Sequence, residues 1–74
     1  MKTNWILISE NAPSAYEQEK KGQVLCSDEH GNMAVGWLES NRKQPEGFYC
    51  FSLIEHTYKT ILRDVVKWVY CIEL

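Results

Sequence analysis

Val65-Val66-Lys67-Trp68-Val69-Tyr70-Cys71-Ile72 decides the fold: as a strand it makes the chain mainly β, and as a helix it would end the molecule in a long α-helical segment. Six of these eight residues are β-branched or aromatic. Such side chains lose rotamer freedom in a helix and fit the pleated surface of a sheet. A competing pattern runs through the same region, because Tyr58, Ile61, Leu62, Val65, Val69 and Ile72 fall at helical spacing and would form one apolar stripe. Propensity favours a strand over residues 65–72, with a helix over residues 58–72 as the alternative.

Working outward, Phe48-Tyr49-Cys50-Phe51-Ser52-Leu53-Ile54 is the strongest strand signal in the chain and predicts a strand over residues 48–55. Val24-Leu25-Cys26 places another over residues 23–27, and the run from Met33 to Leu38 a third over residues 33–39. The loop between them, Ser27 to Asn32, offers Gly31 and Asn32 for positive φ and joins antiparallel neighbours. Trp5-Ile6-Leu7-Ile8 gives a first strand over residues 4–8, and Ser9 to Pro13 breaks it. Ser14 stands three residues before Glu17, the capping-box spacing, so a helix is predicted over residues 14–21. Gly22 is its stop, and Lys20 and Lys21 suit the negative end of its dipole. Gln44-Pro45-Glu46-Gly47 reads as a type I turn inside an exposed polar connection. The expected fold is α+β and mainly β, a small antiparallel sheet or partly open barrel of about five strands with one short helix, in a single domain over residues 1–74.

Residues two apart on a strand share a face. Tyr49, Phe51 and Leu53 therefore line one side and Phe48 and Cys50 the other, while Trp68, Tyr70 and Ile72 oppose Val69 and Cys71. Both faces are apolar, and one short helix cannot cover both. Either the sheet curls on itself or another chain covers a face.

The 74 residues suit one domain. Eight cations against ten anions, a net charge of -2, argue against a polyanion binder driven by bulk charge. The chain is 45% hydrophobic, which excludes the composition of a disordered segment. Cys26, Cys50 and Cys71 are odd in number and widely spaced, so they form no disulfide framework and read as small buried hydrophobes of a cytoplasmic protein. The early apolar run Trp5 to Ile8 is too short for a signal-peptide core, and no run approaches a membrane span.

The opening Trp5-Ile6-Leu7-Ile8-Ser9-Glu10-Asn11-Ala12-Pro13 resembles the W-I-x-x-x-E-x-x-P start of the short phage and prophage proteins grouped as domain of unknown function 551. Gly22-Gln23-Val24-Leu25, Asp28 to Asn32 and Ala34 to Trp37 look like the parts that follow in that family, in order. Its closing V-T-H-W-M-P-L-P-like strand is matched by Val65 to Tyr70 only at the apolar residue and the Trp: Lys67 stands at the usual His, and Tyr70 and Ile72 at the usual prolines. The stretch from Ser40 to Asp64 is also longer than in the usual member. The resemblance implies a phage or prophage origin, a bacterial host cytoplasm and a small β-rich fold, and it implies no activity.

The functional expectation is a non-catalytic protein-binding module, with Trp37, Tyr49, Phe51, Trp68 and Tyr70 as candidate contacts to a host or phage protein or to a second copy of the chain. Core packing is the plainer role for the three tryptophans, since each ring buries about 200 Å². The first alternative is single-stranded nucleic-acid binding by Arg42, Lys43, Lys59, Arg63 and Lys67 with Tyr58, an ordinary solvated surface being the plainer reading. A further alternative is a zinc- or thiol-dependent enzyme using the cysteines with His30 and His56, with Glu10 or Glu55 to orient an imidazole. No pair among them has the spacing at which one turn presents two zinc ligands, and the four glycines are too dispersed for a phosphate loop. Neither a cofactor nor a metal is expected. Residues 1–40 carry three cations and six anions, residues 41–74 five and four, so acidity gathers in the first half.

Overall fold

The structure, a computed structural model, describes residues 4–40 and 47–74. The predicted turn at Gln44 to Gly47 falls largely outside them. Among the described residues the chain forms β1 (Ile6–Leu7), α1 (Ala15–Lys21), β2 (Val24–Asp28), β3 (Met33–Ser40), β4 (Phe48–Ile54), β5 (Thr57–Leu62) and β6 (Val65–Tyr70), ending in a 3-10 turn, Cys71–Glu73. The strands make one antiparallel sheet in the order β1-β6-β2-β3-β4-β5. The fold is therefore mainly β with one short helix.

Residues 65–72 are a strand up to Tyr70, and the helix over residues 58–72 does not form. In its place Thr57–Leu62 is an additional strand, joined to β4 by a two-residue turn in which Ile54 pairs with Thr57. Glu55 and His56 both have positive φ, 47° and 67°, as a tight hairpin of the mirror-image type demands. The first strand is shorter than residues 4–8, because backbone bonds from Glu10 and Asn11 to the Leu7 carbonyl turn the chain away.

Only Arg63 and Asp64 separate β5, at one end of the strand order, from β6, near the other. So short a link cannot cross a flat sheet, and the sheet coils until β5 comes round to the start of β6. The coil is made at β3, which changes partner along its length: Met33 to Gly36 pair with β2, and Trp37 to Ser40 pair with β4. Gly36 marks the corner. A β-carbon there would fall far inside van der Waals contact distance of the Phe51 carbonyl oxygen and 3.2 Å from Cys50 Sγ, so only glycine lets β4 fold this closely over β3.

The concave face is the core, built from Val24, Cys26, Leu38, Cys50, Val65, Trp68 and Tyr70, with Ile6, Ile8, Ala34, Phe48 and Leu62 around them. Trp68 and Tyr70 meet edge to face at 5.0 Å, and the Trp68 indole N–H donates to the Asn11 carbonyl at 2.8 Å. Helix α1 closes the end of this face. Ser14 Oγ accepts from the Glu17 N–H at 3.0 Å, the predicted cap, and Gly22 ends the helix at φ 94°. β2 stops short of Leu38, so the Leu38 amide facing that side lacks a strand partner, and buried Gln18 supplies one. Its Nε2 donates to the Leu38 carbonyl and its Oε1 accepts from the Leu38 N–H, both at 2.8 Å.

At the opposite end Asp28 organises the β2–β3 turn. Its Oδ1 accepts from the amides of His30 and Asn32 at 2.9 Å, and its Oδ2 from the Asn32 side chain at 2.9 Å. The Asn32 side-chain bond first, then the two backbone amides, hold the Asp28 carboxyl below the usual aspartate range. A carboxyl depressed in the folded state contributes stability that is complete above its unfolded value and is lost as pH falls through the folded value. Carbon-detected titration should find Asp28 ionising below the ordinary aspartate range, with the amide signals of His30 and Asn32 moving in the same step.

Candidate functional site

The convex face of the sheet is apolar as well: Val69 and Tyr49 are buried on it, while much of the remainder, on β3 to β5, is exposed. Leu25 pairs with Val35, Trp37 with Phe51, and Leu53 with Tyr58, which sets these side chains next to one another on the outside of β2 to β5. Phe51 and Tyr58 stack edge to face at 6.2 Å. Met33 is 60% exposed, Val35 47%, Leu53 56% and Tyr58 66%, values that belong to side chains with no layer packed on them. The same alternation that buries Cys50 and Leu38 pushes their neighbours out, so the core requires an apolar exterior wherever the outward positions are also apolar.

Of the candidate contacts, Trp37 and Phe51 lie on this face, half buried. Trp68, Tyr70 and Tyr49 do not serve. Trp68 and Tyr70 point into the concave core beside Val24 and Cys26, and Tyr49 is buried although its position on β4 has the outward parity. Burial pushes Tyr70 up to about 12, helped by the bond its hydroxyl donates to Glu17 and by the charges of Glu17 and Glu73. Val35, Leu53 and Met33 belong to the face but were not among the sequence candidates. Aliphatic residues carry no chemical signature, and only strand register shows that they join Trp37.

The cations of the nucleic-acid alternative divide. Arg42 and Lys43 lie outside the described residues. Lys67 Nζ sits 4.9 Å above the Trp5 ring. Lys59 pairs with Ser52 near the β4–β5 hairpin end, while Arg63 follows the far end of β5 and Tyr58 belongs to the apolar outer face.

Cys26 and Cys50 are fully buried, on β2 and β4, with their thiols against each other across the Gly36 corner. That contact first, then burial and the nearby Cys50 and Cys71, push the Cys26 thiol far above the usual range. Cys50 is the one of the pair that the same contact favours as thiolate, yet neither sulfur is open to a substrate. His30 and His56 stand in exposed turns, and no three His, Cys, Asp or Glu side chains among the described residues converge as metal ligands. A thiol-labelling time course should therefore modify Cys71 alone in the native protein and all three cysteines after denaturation. Rapid native labelling of Cys26 or Cys50 would contradict the buried placement.

No family model, curated protein or solved structure matches the chain. No helix among the described residues is long and apolar enough to cross a membrane.

Proposed function

We propose that this chain is a non-catalytic protein-binding module that works through the outer face of β3, β4 and β5, first on a second copy of itself and, in the phage or prophage setting that its opening residues imply, on a host or phage protein. The observation that carries this reading is the run of exposed apolar side chains Met33, Val35, Leu53 and Tyr58 around half-buried Trp37 and Phe51. Scattered apolar residues are ordinary on a protein surface, whereas a connected patch rimmed by polar groups is the mark of an association site. A second copy is the simplest partner, because a self-complementary apolar patch needs no other chain to bury it.

The test is self-association of the wild type against a variant combining Met33→Thr, Val35→Thr and Leu53→Thr, which keeps strand propensity and removes apolar area. The variant should associate about a hundredfold more weakly, the loss expected from roughly 0.5 kcal/mol for each of the six side chains changed in a dimer. Equal association of the two proteins would remove the reading.

A further inference from the structure

Cys26 on β2 and Cys50 on β4 have β3 between them in the strand order, and in a flat sheet their α-carbons would stand about 9–10 Å apart, two strand spacings. A disulfide spans at most about 7 Å between α-carbons. The corner at Gly36 removes that obstacle. β4 folds over β3 there, and Cys50 Sγ lies 3.2 Å from where a Gly36 β-carbon would stand. Cys26 is close to the same spot, because Ala34 pairs with Cys26 and Gly36 with Val24. The two sulfurs consequently meet: the Cys26 S–H donates to the Cys50 sulfur, inside a core where both residues are fully buried.

Wide spacing along the sequence denies these cysteines a disulfide framework, yet the fold brings one pair into contact and leaves Cys71 partly exposed. A bond between Cys26 and Cys50 would tie together two strands that share no backbone ladder. It would also enclose the β2–β3 hairpin and the corner in one covalent loop. The concave face would gain a cross-link at the place where the coil of the sheet depends on β4 staying over β3.

We propose that Cys26 and Cys50 are a redox pair: in the native fold hydrogen peroxide converts the two thiols to a disulfide that clasps β4 to β2 across the Gly36 corner. Cys50, the acceptor of the hydrogen bond, attacks one peroxide oxygen as the thiolate; the O–O bond breaks, hydroxide leaves with the thiol proton as water, and Cys50 becomes a sulfenic acid. The Cys26 sulfur then attacks the Cys50 sulfur. An S–S bond forms, the S–OH bond breaks, and the hydroxyl leaves as a second water with the Cys26 proton. Two thiols are thereby oxidised and one peroxide is reduced to two waters. Peroxide is little larger than water, so local opening of the corner admits it where a bulky thiol reagent stays out. This device lies on the concave face and is independent of the self-association argued above.

The experiment treats the folded full chain, as wild type and as Cys71→Ser, with hydrogen peroxide. Remaining thiols are then blocked with iodoacetamide in denaturant, and the disulfides are located by peptide mass mapping. The Cys26–Cys50 linked peptide is expected in both proteins, and dithiothreitol should abolish it. Oxidised Cys71→Ser should unfold roughly 10–20 °C above its reduced form, because the bond closes the loop from residue 26 to residue 50 in the unfolded chain. The same treatment of Cys50→Ser with Cys71→Ser should give no such rise. Full iodoacetamide blocking of Cys26 and Cys50 after peroxide, oxygen addition to either without the bond, or a bond that forms only in denaturant overturns the redox pair. A bond that forms in the native protein but leaves the unfolding midpoint unchanged or lower overturns the clasp.

Discussion

Gly36→Ala is expected to cost about 3 kcal/mol or more, the largest loss from any single methyl group added to this chain. The added carbon meets the Phe51 carbonyl, a backbone atom that no rotamer change can move, and beyond it the buried Cys50 sulfur. Relief requires β4 to move off β3, which opens the corner that coils the sheet. A chain of this length has roughly 4–11 kcal/mol of stability in all, so the midpoint of thermal unfolding should fall by roughly 12–24 °C. Gly31→Ala is the control. Gly31 needs glycine's backbone freedom, at φ 86°, but open space surrounds it, so the loss there should stay near about 1 kcal/mol. Equal losses at the two positions would mean that the close approach of β4 to β3 adds nothing at Gly36.

The second large effect is expected at Gln18. Gln18→Ala removes the donor and the acceptor that complete the Leu38 amide and leaves a buried N–H and a buried carbonyl without partners. Each orphaned group costs about 1–3 kcal/mol, and a combined loss of about 2–4 kcal/mol is expected, allowing for partial relaxation. Gln18→Glu separates the two bonds, because a carboxylate still accepts from the Leu38 N–H but meets the Leu38 carbonyl with like polarity. It should lose nearly as much at neutral pH and recover part of the loss in acid, where a protonated carboxyl donates. Chemical denaturation of both variants, with amide exchange at Leu38, checks this. Slow exchange at Leu38 in Gln18→Ala would show that another group satisfies that amide.

These two residues also show how far the sequence could be read. Helix α1 was legible from Ser14, Glu17 and Gly22, because caps act within a turn of the chain and leave a local pattern. The strands over Val24, Met33 and Phe48 were legible from β-branched and aromatic density, and the parity of β4 was right in separating Phe51 and Leu53 from Phe48 and Cys50. β5 was hidden for two local reasons. Its turn uses Glu55 and His56 at positive φ, where asparagine and glycine would have announced a hairpin. A register shift between Cys50 and Phe51 takes Ile61 out of the alternation, so Tyr58, Ile61 and Leu62 mimic helical spacing. Parity also could not say which face turns inward. Trp68 and Tyr70 look as available as Trp37 until strand order places them over Val24 and Cys26. Gln18 gave no signal either, since its partner is a backbone amide twenty residues away. What escaped the sequence is what depends on pairing between distant residues: the corner and the inward face.

The most direct test of the central claim is the solution mass by light scattering, over a range of concentrations, of the wild type beside the protein carrying Met33→Thr, Val35→Thr and Leu53→Thr. The account predicts a wild-type mass that rises with concentration from 8.7 kDa towards twice that value, and a variant that stays at 8.7 kDa. A wild type that holds the monomer mass throughout, indistinguishable from the variant, would contradict it.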